Sequence, residues 1–213
     1  MNPNTWDVSC KSNKNIKLNV AIGHFATSHS HIDHYMGFTE MRTNCHAAML
    51  CARELSKFYT HAKPVDTIIC LEYTQVIGSY VATILTEPGS RGVNERHQIS
   101  VITPDTNSSG QLVFSGDVQD LVQNKSILVL ISTVSTGRSL ERALECIAYY
   151  GGHLVGVAAL FSAIDKVVGV DIHALFSPDD VPDYHSYQSS ECPYCQRGRK
   201  LDGLVNAAGL TRI

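Results

Sequence analysis

The stretch Ile127–Tyr150, ILVLISTVSTGRSLERALECIAYY, constrains the fold more than any other part of the chain. It opens with an unbroken apolar run, Ile127 to Ile131, rich in β-branched types. Such a run is short for a helix and reads as a strand buried on both faces, which is what a parallel sheet produces. Small and hydroxyl residues follow, Ser132-Thr133-Val134-Ser135-Thr136-Gly137. Leu140, Ala143, Leu144, Ile147 and Ala148 then recur at helical spacing, and Gly151-Gly152 is the stop signal. Strand, Gly/Ser/Thr loop and helix together make a device for holding a phosphate. The free N–H groups at the helix start point at the anion, and the helix dipole adds roughly 0.3–1 kcal/mol. The spacing is neither GxxxxGK[ST] nor GxGxxG, so both of those nucleotide-binding fingerprints are excluded.

The same unit occurs earlier. Val65–Leu71 (VDTIICL) is a second buried strand, followed by the loop Glu72-Tyr73-Thr74 and a helix from Gln75 to Leu85 that stops at Pro88-Gly89. Leu154–Leu160 supplies another apolar strand. This alternation predicts an α/β fold, a parallel sheet with helices on both faces. Right-handed crossovers bring the loops after Leu71 and after Ile131 to one carboxyl edge, where such sheets bind ligands.

The remaining segments are more polar. Residues 1–15 read as a loose arm or edge element, and Ile16–Gly23 as a short strand entering a histidine-rich loop, His24–His34. Thr43-Asn44 offers a helix cap, with Ala47, Ala48, Cys51, Leu55 and Phe58 at helical spacing behind it. Gly89-Ser90-Arg91-Gly92 is turn-rich. Ile99–Thr103 and Gln111–Phe114 flank Asp105-Thr106-Asn107-Ser108-Ser109-Gly110 and read as a hairpin. Asp171–Phe176 reads as a last edge strand, 177–200 as an ordered loop, and Leu201–Leu210 as a short terminal helix.

The 213 residues fit a single domain, 44% hydrophobic and 17% charged. A net charge of −3 argues against nucleic acid, whose phosphates demand a basic face. No apolar run approaches the roughly 18 residues of a membrane span, and the N-terminus lacks a signal-peptide core. Seven cysteines, several inside apolar segments, suit reduced thiols in a cytoplasm.

The loop Thr136-Gly137-Arg138-Ser139, with its strand and helix, resembles the phosphoribosyl-pyrophosphate (PRPP) loop of the type I phosphoribosyltransferases. The resemblance covers most of the chain and looks closest to the orotate phosphoribosyltransferase-like group. It implies a Rossmann-like parallel-sheet fold with a base-contacting N-terminal segment (1–43), a hood hairpin (89–126) and a C-terminal loop-plus-helix extension (177–213). It also implies a homodimer that binds PRPP with Mg²⁺ and joins ribose 5-phosphate to a nitrogenous base, orotate, releasing pyrophosphate. On this resemblance Thr136, Gly137, Arg138 and Ser139, with Ser135, hold the 5′-phosphate, while Ser132 and Thr133 face the ribose hydroxyls. Glu72, Tyr73 and Thr74 face the pyrophosphate, with Glu72 a candidate for Mg²⁺ or for a helix cap. Phe25, Thr27, Ser28, His29 and Tyr35 match the base-contacting segment, and the hood offers Arg91, Arg96 and His97 as catalytic cations. The chain departs from the family at Ser132 and Thr133, where the family carries two acids that hold the ribose hydroxyls. That substitution opens a second reading, a PRPP- or nucleotide-sensing protein on the same fold without turnover.

Two further motifs carry metal chemistry. His29-Ser30-His31-Ile32-Asp33-His34 spells HxHxDH, the ligand pattern of the metallo-β-lactamase superfamily, and Ser115-Gly116-Asp117 resembles its later acidic segment. The Gly-His turn that should lie between the two is missing, and the β-loop-α units do not suit that sandwich. Cys192-Pro193-Tyr194-Cys195 reads as a redox dithiol, as free thiols, or as half of a zinc site that needs two more ligands, for which His185 and Asp183 are candidates.

Overall fold

The structure is a computed structural model describing residues 5–108 and 111–213. In chain order it begins with β1 (Thr5–Ser9), β2 (Lys17–Ala26) and β3 (His31–Gly37), then α1 (Thr39–Thr43) and α2 (Cys45–Ser56). Next come β4 (Thr67–Cys70), α3 (Gln75–Thr86), β5 (Ser100–Ile102), β6 (Asp105–Thr106), β7 (Leu112–Val113) and α4 (Gly116–Gln119). The units β8 (Ser126–Val134), α5 (Arg138–Tyr149), β9 (His153–Ser162), β10 (Lys166–Val167) and β11 (Val170–Phe176) follow. The C-terminal part holds β12 (Ser186–Tyr187), α6 (Pro193–Gln196), β13 (Gly203–Asn206) and β14 (Gly209–Arg212).

The central sheet has the order β10-β11-β9-β8-β4-β5 and is parallel except at β10. Strand β8 shows why the apolar run forces this arrangement. Leu128 and Leu130 pack with Ala48, Leu55, Ile77 and Val81 of α2 and α3 on one face. Ile127, Val129 and Ile131 pack with Leu140, Ala143, Leu144 and Ile147 of α5 on the other. Each Leu, Ile or Val among them contributes about 1.5–3 kcal/mol on burial, so neither face can be left wet. Helix α3 approaches β4 closely because Gly78 faces it; a Cβ there would stand 2.4 Å from Cys70 Sγ. Asn44 caps α2, its Oδ1 accepting from the His46 and Ala47 N–H groups at 2.9 and 3.1 Å.

A second sheet runs β12-β3-β2-β13-β14, with β1 added to β2. It changes two sequence-based expectations. The histidine-rich stretch is mostly strand, since β2 runs on through His24 and β3 starts at His31. The terminal segment is a hairpin rather than a helix. Gly203 and Gly209 disfavour a helix, and the Asn206 side chain builds the turn by accepting from the Ala208 and Gly209 N–H groups at 2.9 and 3.2 Å. The edge-element reading of the first residues holds for β1; residues 1–4 lie outside the described residues. The 105–113 hairpin forms between β6 and β7, with Ser109-Gly110 of its turn outside the described residues, while 100–102 joins the central sheet instead. Among the described residues no helix is long and apolar enough to cross a membrane.

Candidate active site

Strand β8 runs three residues beyond its apolar core because Thr133 and Val134 still pair with Phe161 and Ser162 of β9. The chain then turns at Gly137, whose φ of +83° lies in the left-handed region, and enters α5 with no capping side chain. A Cβ at Gly137 would also sit 3.0 Å from Ile164 Cδ1. An uncapped helix start behind a glycine turn leaves first-turn N–H groups available to an anion. The whole predicted phosphate loop, Ser132, Thr133, Ser135, Thr136, Gly137, Arg138 and Ser139, lines one cleft. Thr136, Arg138 and Ser139 are exposed there.

The loop after β4 meets this loop from the side, as the crossover rule requires. Glu72 and Tyr73 both have positive φ, 54° and 64°, a strain of roughly 1–2 kcal/mol per residue. Three hydrogen bonds from three residues hold Glu72 in place. Ser132 Oγ donates to the Glu72 carbonyl at 3.0 Å, and the Thr133 N–H donates to Glu72 Oε2 at 2.9 Å. Arg42 Nη1 donates to the same carbonyl at 2.9 Å and to the Ala207 carbonyl at 2.6 Å, with Nη2 3.4 Å from the Ala208 carbonyl. Burial lifts the Glu72 carboxyl to about 6, against the opposing pull of the Thr133 N–H and the Arg42 charge. Glu72 is the one carboxylate among the described residues lining the cleft.

The other end of the cleft is built by the β2–β3 turn. Thr27 Oγ1 accepts from the Ser30 N–H at 2.9 Å and the His29 N–H at 3.2 Å, fixing the turn, and Ser28, His29 and Tyr35 line the cleft beside it. Tyr184, Asn206 and Ala207 complete the wall from the C-terminal part.

Other sequence-predicted residues lie elsewhere. Phe25 is buried against Tyr35, with ring centroids 6.1 Å apart. Thr74 is buried, its hydroxyl donating to the Leu71 and Leu130 carbonyls at 2.8 and 3.0 Å, so it ties β4 to β8. Tyr73 lies exposed, its ring centroid 5.7 Å from the Arg42 guanidinium carbon. The 89–97 segment closes on itself: the Gly89 and Arg91 N–H groups donate to the Glu95 carboxylate at 2.9 and 3.1 Å, and Arg96 Nε lies 3.8 Å from it. Arg91, Arg96 and His97 are therefore not among the cleft-lining residues. The hairpin packs instead on α5, where Cys146 Sγ donates to the Leu112 carbonyl at 3.2 Å.

Arg42 was missed by the sequence reading. It is a single cation in a short helix with no periodic signal, and its role depends on Ala207 and Ala208, which only the fold brings near.

The HxHxDH motif does not converge on one point, because alternate residues of β3 face opposite ways. Asp33 instead pairs with His34 Nδ1 at 2.6 Å and with His185 Nδ1 at 3.0 Å. Burial alone would raise the Asp33 carboxyl, but these partners and the His185 N–H hold it below its ordinary value. The pairing takes His185 away from Cys192 and Cys195, which meet His24 and His31 instead.

No family model matches this sequence. Solved structures with a similar fold include phosphoribosyltransferases. Orotate phosphoribosyltransferase from Mycobacterium tuberculosis superposes with a TM-score of 0.51 at 15% identity, over 84% of this chain and 90% of that one. A phosphoribosyltransferase from Corynebacterium diphtheriae gives 0.51 at 16% identity, over 75% and 90%. UMP synthase from Leishmania donovani gives 0.53 at 19% identity, over 74% of this chain but only 33% of that longer one. The architecture is thus the type I phosphoribosyltransferase fold, a mixed α/β fold on a parallel sheet, as the resemblance implied.

Proposed function

We propose that the cleft binds PRPP and transfers its ribose 5-phosphate to a nitrogenous base, orotate being the first base to test, with loss of pyrophosphate. The observation that carries this reading is the uncapped start of α5 behind Gly137, facing the strained Glu72-Tyr73 loop across one cleft. The α5 terminus suits the 5′-phosphate, with Arg138 adding charge and Thr136 and Ser139 adding hydroxyls. Glu72 and its backbone stand where a second anionic group would lie. Ser28, His29 and Tyr35 supply neutral donors and acceptors for a planar polar base.

Magnesium fits this donor set in a limited way. Mg²⁺ is commonly held by one or two carboxylates together with substrate phosphates, and the cleft supplies one carboxylate, Glu72. The ion would screen the charge of the pyrophosphate; the chain itself positions the two substrates and excludes water.

A second reading, PRPP sensing without turnover, is favoured by Ser132. Its hydroxyl proton is spent on the Glu72 carbonyl, so the position that bears an acid in the family offers a ribose no carboxylate and no free donor. The test replaces Ser132 and Thr133 by Asp together and measures pyrophosphate release from PRPP and orotate. Release by the unchanged chain supports the transferase. Release only after S132D/T133D supports the sensor, and Arg138→Glu should abolish PRPP binding on both readings.

A further inference from the structure

We propose that His24, His31, Cys192 and Cys195 form a tetrahedral zinc site that fastens the C-terminal part of the chain to the turn lining the cleft. Four ligand atoms converge from two distant segments, all within 4.8 Å of one another. His24 Nε2 lies 3.1 Å from His31 Nδ1, 3.4 Å from Cys192 Sγ and 3.6 Å from Cys195 Sγ, and His31 Nδ1 lies 3.3 Å from Cys195 Sγ. Zn–N bonds near 2.05 Å and Zn–S bonds near 2.3 Å, tetrahedrally arranged, put neighbouring ligand atoms about 3.3–3.8 Å apart. Those four separations fall at or just under such edges, and the remaining two pairs lie within 4.8 Å.

Hydrogen bonding alone does not account for the cluster. His24 Nδ1 lies 3.1 and 3.2 Å from the Arg199 and Lys200 carbonyls, which can only accept, so Nδ1 carries the proton. In the neutral ring Nε2 therefore keeps its lone pair. One lone pair cannot accept from an imidazole and two thiols arriving from different directions, whereas a central cation satisfies all four groups. The Nδ1–carbonyl contacts are also the outer-shell bonds by which metal-binding histidines are fixed in tautomer and orientation. Two imidazoles with two thiolates are a donor set suited to zinc.

The position gives the site its consequence. His24 lies near the end of β2 and His31 opens β3, so the two imidazole ligands bracket the turn that carries Ser28 and His29 into the cleft. From the cysteines the chain runs directly into β13, which pairs with β2 at Phe25 and Ala26 and leads to the Ala207 carbonyl held by Arg42. Zinc at this point joins both walls of the cleft.

Elemental analysis of the full-length protein, purified without chelator from zinc-supplemented cells, tests the site. One zinc per chain is expected, falling to less than about a tenth in His31→Ala and in Cys195→Ser and unchanged in Cys45→Ser, an exposed cysteine outside the cluster. Because Cys192 is fully buried and its variant is open to misfolding, Cys195, which is exposed, is the thiol to replace. Cobalt exchanged into the unchanged protein should show tetrahedral d–d bands and thiolate charge-transfer absorption. Absence of both stoichiometric zinc and the cobalt bands overturns the proposal, as does zinc that survives His31→Ala and Cys195→Ser.

Discussion

Arg42→Met is the most informative single substitution outside the cluster, because it keeps an aliphatic stem of similar length and deletes only the guanidinium. Arg42 is buried, and Nη1 serves two carbonyls at 2.9 and 2.6 Å, those of Glu72 and Ala207. A hydrogen bond to a charged group is worth roughly 1.5–3 kcal/mol, so two well-placed ones sum to about 3–6 kcal/mol. The contact to Ala208 at 3.4 Å is too long to add much. Replacement also removes the positive charge that opposes the upward shift of Glu72, so that carboxyl should rise further. For a chain of this size each kcal/mol moves the melting temperature by about 2–4 °C, which places the expected drop at roughly 6–24 °C. Calorimetric melting of the unchanged and Arg42→Met proteins at one pH provides the assay, with PRPP titration alongside. The loop strain at Glu72 and Tyr73 is no longer opposed by Arg42, so PRPP affinity should fall at least tenfold even where the variant is fully folded. A drop of under about 2 °C with unchanged affinity would refute the role assigned to Arg42.

Three further outcomes follow from the same geometry. Glu72 titrates at about 6 in the folded chain against an ordinary 4.5, so its protonated form is favoured by folding. Its stabilising effect is present below 4.5 and is lost as pH rises through 6, a change of about 2 kcal/mol. Glu72→Gln should therefore gain stability relative to the unchanged chain between pH 4.5 and pH 7, measured by urea unfolding at both values; a constant difference contradicts the shift. Gly137→Ala should lose about 1–2 kcal/mol from its left-handed φ and weaken phosphate binding, read by thermal melting and phosphate titration. Thr74→Val removes a buried hydroxyl donating to two carbonyls and should cost about 1–3 kcal/mol in urea unfolding without changing which anions bind.

The parts of the fold legible in the sequence are those where burial and pairing coincide. The run Ile127–Ile131 is buried on both sides, and hydropathy alone places its strand; α5 and the loop between them follow from spacing. Pairing without burial is where the reading fails. Ser132 and Thr133 are strand residues because β9 pairs with them, yet they read as loop. The polar stretch His24–His34 hides two strands whose partners come from opposite ends of the chain. Leu201–Leu210 has enough apolar residues to suggest a helix, but Gly203, Gly209 and the Asn206 turn favour a hairpin added to β2. The cleft followed the same rule. The residues proposed for the phosphate are one contiguous motif, and all of them line the cleft. Arg42, Tyr184 and Ala207 join it through tertiary structure alone, and the histidine partners of Cys192 and Cys195 lie more than 150 positions away along the chain.

The central claim is that the α5 terminus and the Glu72 loop form one site for PRPP. Calorimetric titration of the purified protein with PRPP and Mg²⁺, followed by orotate in the same cell, tests it most directly. The account predicts saturable PRPP binding at one site per chain, lost in Arg138→Glu, and then heat with pyrophosphate release on adding orotate. Saturable binding that persists in Arg138→Glu, or no binding at all, would contradict it.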